Sequence, residues 1–301
     1  MQLIRNRYRV LGTLSETLYG FVHVCSDLVA IANGADSDES RVVLKQVSLS
    51  RAMGILNAPR PKEQQAPDDP RLEKSVANAL RRAGGHCNIV RYTDDFIECD
   101  NLYFVQDYCV GGDLYEHLSR GDRQGTRRLP CAEAMSLVEQ VASGLAFLHE
   151  HDMAHRDLSL ENVLLNDDVC QIGDFGLATR RPYDCTDRVG KAYYMAPEVV
   201  AGGKYDGKAA DVWALGVMLF ILLTGSPLVT NAPTATKSFQ LMKTAGGIAL
   251  VLEAWGIETS QWGSVVDLLS RMLEVDPTDR ISVEQVLAHQ AFGEFGTAVE
   301  L

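Results

Sequence analysis

No Cys-x-x-Cys pair occurs in this sequence of 301 residues, and its cysteines number seven, an odd count. Both facts argue against a disulfide framework and against a zinc site, and both suit a reducing compartment. The opening Met-Gln-Leu-Ile-Arg-Asn-Arg-Tyr-Arg lacks the apolar run of a secretory leader. Long hydrophobic runs are missing too: the longest, Val212 to Leu223, is too short to span a bilayer and reads as a buried helix. Positive charge is scarce, with 28 Lys and Arg against 40 Asp and Glu and a net charge of −12. That balance disfavours nucleic acid or an anionic membrane as the main partner, while leaving room for a locally basic groove. What is present, 46% hydrophobic and 23% charged residues, is the composition of a soluble globular protein of one large or two ordinary domains. The expected address is cytoplasmic, with no regulatory domain, interaction repeat or lipidation signal in view.

From Tyr8 to Val47 apolar and polar residues alternate in short runs with turn signals between them, the pattern of antiparallel strands. A first hairpin is expected through Leu11 to Leu14 and Gly20 to Cys25. A second turns at Asn33-Gly34-Ala-Asp-Ser-Asp and leads into Arg41-Val-Val-Leu-Lys45. Met53 to Pro70 holds four prolines and several charges and is expected to be a mobile insertion. Asp69-Pro70 then supplies an N-cap and a first-turn proline, and Gly84-Gly85 ends the helix, within which Leu72, Val76 and Leu80 recur at helical spacing. Asn101 to Cys109 reads as a central strand. Beyond the Gly111-Gly112-Asp113 turn the chain becomes mainly helical, with periodic apolar residues over Met135 to Leu148 and Asp211 to Leu223.

One stretch is more specific than all of this. His155-Arg156-Asp157-Leu-Ser-Leu-Glu-Asn162 is followed by Asp174-Phe175-Gly176, Ala196-Pro197-Glu198, Asp211-Val-Trp213 and Asp276-Pro277-x-x-Arg280. In this order and spacing the set resembles the eukaryotic protein kinase family, over about Tyr8 to Phe292. The resemblance implies an α+β bilobal fold, a small antiparallel β lobe with one helix plus a larger, mainly helical lobe. It implies a single protein kinase domain over residues 1–301, with the N-lobe and hinge in 1–109 and the C-lobe in 110–301. The implied activity is transfer of the γ-phosphate of ATP to Ser or Thr hydroxyls of protein substrates, with Mg2+ as cofactor. The alternative is a pseudokinase, a kinase-shaped scaffold or allosteric module acting through protein contacts.

The resemblance also distributes roles. Asp157 would orient the nucleophile, and Asn162 and Asp174 would hold Mg2+, an amide and a carboxylate being hard oxygen donors. Lys45 would contact the α- and β-phosphates with Glu73 holding it in place. By residue type alone the two are equally a strand-edge charge and an exposed helix charge. Glu73 lies four residues further from His86-Cys-Asn-Ile-Val than the family pattern has it, so an extra turn or loop must intervene. Leu14, Gly20, Val22, Val43, Gln106, Asp107, Cys109, Asp113 and Leu164 would complete the ATP site, Gln106 as gatekeeper and the main chain of Asp107 and Cys109 on the adenine. Glu198 and Arg280 would form a buried ion pair, Asp211 would accept hydrogen bonds from the catalytic-loop backbone, and His155 and Phe175 would pack behind the site. His149 and His151 are given helix C-terminal charge roles only.

Several family positions carry other residues. Ser15 and Thr17 stand where the phosphate loop has its first two glycines, leaving Gly20 alone, so this loop is expected to hold phosphates less closely. Ser159 replaces the lysine two residues after the catalytic aspartate, and Lys191 replaces the threonine that would face it. Either the two have exchanged places, Lys191 delivering the ammonium beside Asp157, or Lys191 points to solvent. Asp187 occupies the position of the family's activation-segment phosphothreonine, with Thr186 beside it. A carboxylate there could pair with Arg156 and order the segment, whereas Thr186, Thr179 or Tyr183 would be the switch in a phosphorylated form. Cys185 reads as a plain thiol more readily than a redox-sensitive one. Asp113 and Glu161 match positions that hold a substrate arginine two or three residues before the acceptor. Protein substrates, no nucleic acid, no membrane and a monomeric state complete the expectation.

Overall fold

The alternating segments become strands. In the computed structural model, which describes residues 2–59, 61, 64–119, 128–228, 237–244 and 247–295, an antiparallel sheet is built from β1 (Leu3–Ile4), β2 (Tyr8–Glu16), β3 (Gly20–Asp27), β4 (Arg41–Ser48), β5 (Tyr92–Glu98) and β6 (Asn101–Asp107). Their order is β1-β2-β3-β4-β6-β5. The β2–β3 hairpin is closed by its own residues: the Thr17 N–H donates to the Gly20 carbonyl at 2.8 Å, and the Gly20 N–H to Thr17 Oγ1 at 3.1 Å. A Cβ on Gly20 would collide with the Gln46 carbonyl oxygen on β4, so the glycine here serves the close approach of two strands.

The second connection departs from a simple turn. A short helix α1 (Leu28–Ala32) intervenes because Asp27 caps it, Oδ1 accepting from the Val29 N–H at 3.0 Å and the Ala30 N–H at 3.4 Å. Asn33 is its C-cap. Strand alternation then decides what β4 presents to each face. Leu44 joins a cluster with Ile4, Tyr8, Cys25, Phe96, Tyr103 and Val105, while Val43 and Lys45 line a cleft on the opposite face.

The insertion is shorter and better anchored than its prolines suggest. Helix α2 (Leu49–Leu56), capped by Ser48 through Oγ to the Arg51 N–H at 3.3 Å, takes up its first residues. Further on, the Ala66 N–H donates to the Arg188 carbonyl at 2.9 Å, because backbone groups without a helix or strand partner must find one elsewhere. Helix α3 (Pro70–Arg82) starts as the sequence predicts, with the Asp69 carboxylate accepting from the Arg71 N–H at 2.9 Å. It ends before Gly84 and Gly85, both at positive φ (87° and 73°). Its buried stripe is Glu73, Val76, Ala77 and Leu80, whereas Leu72 is 38% exposed. The helical phase thus turns a carboxylate inward and a leucine outward, the reverse of what residue type alone indicates.

The larger half holds a small sheet of β7 (Gly112–Asp113), β8 (Val163–Asn166) and β9 (Val169–Ile172). Its helices are α4 (Leu114–Ser119), α5 (Cys131–Glu150), α6 (Pro197–Ala201), α7 (Gly207–Thr224), α8 (Lys237–Met242), α9 (Gly247–Ala254), α10 (Val265–Met272), α11 (Val283–Leu287) and α12 (Gln290–Phe295). Helix α7 is long and apolar enough to cross a membrane by composition, but 89% of it is buried inside the protein. It is apolar on all sides because other elements surround it. One contiguous core runs from Tyr19 and Phe104 under the large sheet through Leu145 and Phe220 to Phe292. Each fully buried Leu, Val or Phe in it contributes roughly 1.5–3 kcal/mol. The bilobal α+β arrangement expected from the motifs is present.

Candidate active site

Between the large sheet and β7–β9 lies a cleft of about 520 Å³, a volume suited to a small-molecule ligand. Leu14, Val22 and Val43 line it from the sheet, Leu164 from β8, and Gln106 and Asp107 from the end of β6. Cys109 and Asp113 stand at one edge, and Lys45, Asn162 and Asp174 at the inner end. Gly20 is not part of the lining; Ser15 and Thr17 are. The expectation that Gly20 faces a nucleotide is corrected by its approach to β4. Among the described residues the Cys109 N–H has no hydrogen-bond partner, while the Asp107 N–H donates to the Arg91 carbonyl at 3.1 Å and its carboxylate pairs with Arg91.

Lys45 reaches across the inner end. Its Nζ donates to Glu73 Oε2 at 2.9 Å and Oε1 at 3.1 Å, and to Asp174 Oδ1 at 2.7 Å. The extra residues between Glu73 and His86 are absorbed by α3 running on to Arg82. Glu73 is also held by the Tyr92 hydroxyl, which donates to Oε1 at 3.0 Å. Burial works against the ammonium of Lys45, but the carboxylates of Asp174 and Glu73 outweigh it and hold the amine above its ordinary range. Reciprocally, the Lys45 cation draws the Asp174 carboxyl down to about 2. Because that pKa lies below the reference value of 3.8, Asp174 lends stability above pH 4 that is lost as pH falls toward about 2. Chemical denaturation of Lys45→Met should therefore show a shallower loss of stability over that acidic interval than the unaltered protein shows. Equal slopes would mean that the pair does not set the Asp174 charge.

Asp157 is not among the residues lining the cleft; it sits beside Asn162, which is, in a web of donors. Oδ1 accepts from the Lys191 N–H at 3.0 Å and Oδ2 from Asn162 Nδ2 at 2.8 Å. The same Nδ2 donates to the Asp157 carbonyl at 2.7 Å, which fixes the loop around its own side chain. Lys191 Nζ donates to Ser159 Oγ at 2.6 Å and lies 3.7 Å from Asp157 Oδ2, so its chain turns inward and not to solvent. Burial pushes the Asp157 carboxyl up, with Lys191 the strongest influence in the other direction. Asn162 Oδ1 and Asp174 Oδ2 make no hydrogen bond among the described residues. An amide and a carboxylate oxygen left open at one end of a cleft are donors that fit magnesium.

The backbone is locally strained where these groups converge: Arg156 and Asp174 have φ of 64° and 56°. Three hydrogen bonds hold the loop in this form. Asp211 accepts from the His155 and Arg156 N–H groups at 2.8 and 2.7 Å, and His155 Nε2 lies 2.9 Å from the Gly173 carbonyl. His155 Nδ1 accepts from the Asp157 N–H at 3.2 Å, so Nε2 carries the proton. Phe175 is fully buried, 5.2 Å from the His155 ring. His149 is a correction: it is buried, with Nε2 3.0 Å from Asp211 Oδ2. The helix-end position suggested only a charge role, since the pairing with Asp211 spans 62 residues of sequence.

In the activation segment, no ion pair joins Arg156 to Asp187 among the described residues. Arg156 Nε instead donates to the Leu177 carbonyl at 2.8 Å, and Asp187 receives the Tyr205 hydroxyl on its backbone oxygen at 2.9 Å. Thr186 is exposed; Thr179 is buried; the Tyr183 hydroxyl accepts from Lys208 Nζ at 2.8 Å. Cys185 is buried, and that burial pushes its thiol up, as for a structural cysteine. Glu198 and Arg280 form a two-pronged pair at 2.6 and 3.0 Å. Asp113 caps α4 by accepting from the Glu116 N–H at 2.7 Å. Glu161 Oε2 is buried with no partner among the described residues.

A nucleotide-sized cleft between a β lobe and a helical lobe, with a lysine–glutamate pair above and an Asp–Asn loop below, defines a kinase-type fold. The chain belongs to the protein kinase domain family, which matches residues 30–292. It is similar to the serine/threonine-protein kinase ULK3 of Homo sapiens, 35% identical over 210 residues, covering 68% of this chain and 42% of that protein. It is likewise similar to the serine/threonine-protein kinase SRK2A of Physcomitrium patens, 32% identical over 231 residues, covering 74% and 63%. A calcium and calcium/calmodulin-dependent serine/threonine-protein kinase of Lilium longiflorum is 34% identical over 212 residues, covering 68% and 38%. The chain spans less than two thirds of the length of each of these relatives.

Proposed function

We propose that this protein transfers the γ-phosphate of ATP to Ser or Thr hydroxyls of protein substrates. The observation that carries the reading is the simultaneous assembly of Lys45 on Glu73 and Asp174 with Asp157 on Asn162 and Lys191. The substrate oxygen forms a bond to the γ-phosphorus as the bond from that phosphorus to the bridging oxygen breaks, releasing ADP. Asp157 orients the hydroxyl and receives its proton. Lys45 neutralises phosphate charge, and Lys191 supplies a second cation beside the transfer point. Asn162 and Asp174 would hold Mg2+, which when bound neutralises phosphate charge. The Cys109 N–H and the Asp107 main chain would take the adenine edge, and Glu161, with Asp113, would favour an arginine upstream of the acceptor. A peptide array showing acidic or proline-directed preference would end that last assignment.

The hairpin closed by Thr17 favours a second reading, a kinase-shaped scaffold, because its turn amides bond within the loop. Magnesium-dependent transfer from labelled ATP to a generic protein substrate decides between them. Lys191→Ala should lower turnover roughly 10²-fold, the effect of removing one charged contact at the transfer point. Because Lys191 opposes the upward push of burial on Asp157, its loss drives that carboxyl further up. The ionised form is the active base, so the acid limb of the pH–rate profile should move to higher pH. Unchanged turnover in both Lys191→Ala and Lys191→Thr would dispose of the exchange with Ser159.

A further inference from the structure

The segment just before α3 touches the activation segment three times. The Asp69 N–H donates to the Gly176 carbonyl at 2.9 Å, the Ala66 N–H to the Arg188 carbonyl at 2.9 Å, and Gln65 Nε2 to the Gly190 carbonyl at 3.0 Å. A fourth bond ties it to the β2–β3 hairpin, where the Tyr19 hydroxyl donates to the Asp68 carbonyl at 2.6 Å. The Asp68 side chain packs against Gly176, where an added Cβ would come within 2.9 Å of Cγ. Asp69 also caps α3, the helix that carries Glu73. The strap therefore joins three parts whose relative placement sets the site: the hairpin, the Glu73 helix and the segment bearing Lys191.

We infer that residues 65–69 are a positioning strap that locks the activation segment to α3, so that the segment holds its form without a phosphate. The inference rests on the kinase reading above and adds the means by which the segment is held. Arg156, expected to help hold the segment, donates through Nε to the Leu177 carbonyl at 2.8 Å. The strap braces the site and does not plug it. None of its residues lines the 520 Å³ cleft. The bonds it donates to the activation segment go to backbone carbonyls, and no hydrogen bond joins it to Lys45, Asp157, Asn162 or Asp174 among the described residues; the Asp68 carboxylate adds to the negative charge that holds the Lys45 ammonium. Gln65 is exposed, so its side chain can be altered without disturbing the core.

Two readouts on the full chain test this. The first is the rate of tryptic cleavage after Arg180 and Arg188 without nucleotide. Gln65→Glu removes the donor to Gly190 while keeping the shape, and Ala66→Pro removes the donor to Arg188. Each should speed cleavage roughly fivefold, the change in open population that one lost hydrogen bond gives. Gln65→His, which keeps a ring N–H donor and adds no tryptic site, should cleave as the unaltered protein does. The second readout is kinetic: the two disrupting variants should lose kcat with KM for ATP unchanged, and phosphatase treatment of the unaltered protein should leave its turnover intact. Cleavage unchanged in both disrupting variants overturns the strap, as does a rise in turnover, which would make the segment an obstruction. If the unaltered protein transfers no phosphate, the kinase reading fails, while the cleavage rates still decide whether the strap holds the segment.

Discussion

Phosphate transfer by Asp157→Asn should fall by roughly 10²–10⁴-fold, the range for loss of a positioned proton acceptor. The geometry explains why a near-isosteric change does so much. Each carboxylate oxygen of Asp157 accepts a hydrogen bond, from Lys191 N–H and from Asn162 Nδ2. Asparagine has one acceptor oxygen and one donor nitrogen, so one of these contacts becomes donor against donor. The neutral amide also cannot take the hydroxyl proton. Folding should suffer little, because burial already disfavours the charged form of this carboxyl. Labelled-ATP assays with magnesium, beside thermal melts of both proteins, check the pair of outcomes. Undiminished transfer would remove Asp157 from the mechanism.

The largest loss of stability should come from Arg280→Leu. The Arg280 side chain is fully buried and Glu198 is 13% exposed. The guanidinium also donates to the Ala209 carbonyl at 2.7 Å and the Glu274 carbonyl at 2.9 Å, and stacks over Trp213 at 5.1 Å. Removing one partner leaves Glu198 poorly solvated and without its counter-charge, and breaking such a pair costs about 3–5 kcal/mol. Adding Glu198→Gln to the leucine variant should recover part of that loss, since the orphaned charge is then gone. Denaturant midpoints of the two variants measure it; a single variant as stable as the unaltered chain would show the pair to be dispensable.

Local chemistry made much of this legible from sequence. The Asp69 cap, Pro70 and the paired glycines bounded α3, and the ordered motifs announced the bilobal fold. Long-range geometry was not legible. Glu73 could be suspected as the partner of Lys45, but only the phase of α3 turns it inward in place of Leu72. The proline-rich insertion looked mobile because its bonds go to carbonyls more than 100 residues further along the chain, as Gln65 to Gly190 illustrates at a separation of 125. His149 hid its link to Asp211 for the same reason, and Gly20 its true neighbour, the backbone of Gln46. Charge alone suggested Asp187 for Arg156, whereas the Arg156 Nε donates to the Leu177 carbonyl, a backbone acceptor that no sequence signal marks.

The lysine–serine contact across the site runs between two segments of different standing. Ser159 belongs to the loop pinned by Asp211, whereas Lys191 belongs to the segment tied down from the other side of the molecule. Positive charge beside Asp157 is thus carried by a different segment from the one that carries Asp157 itself. Were that segment to lift, the loop would lose a hydrogen-bond donor and a counter-ion together, since the Lys191 N–H and Nζ both face the Asp157 carboxylate. Shape and charge fail together, so a half-docked segment leaves no half-competent site.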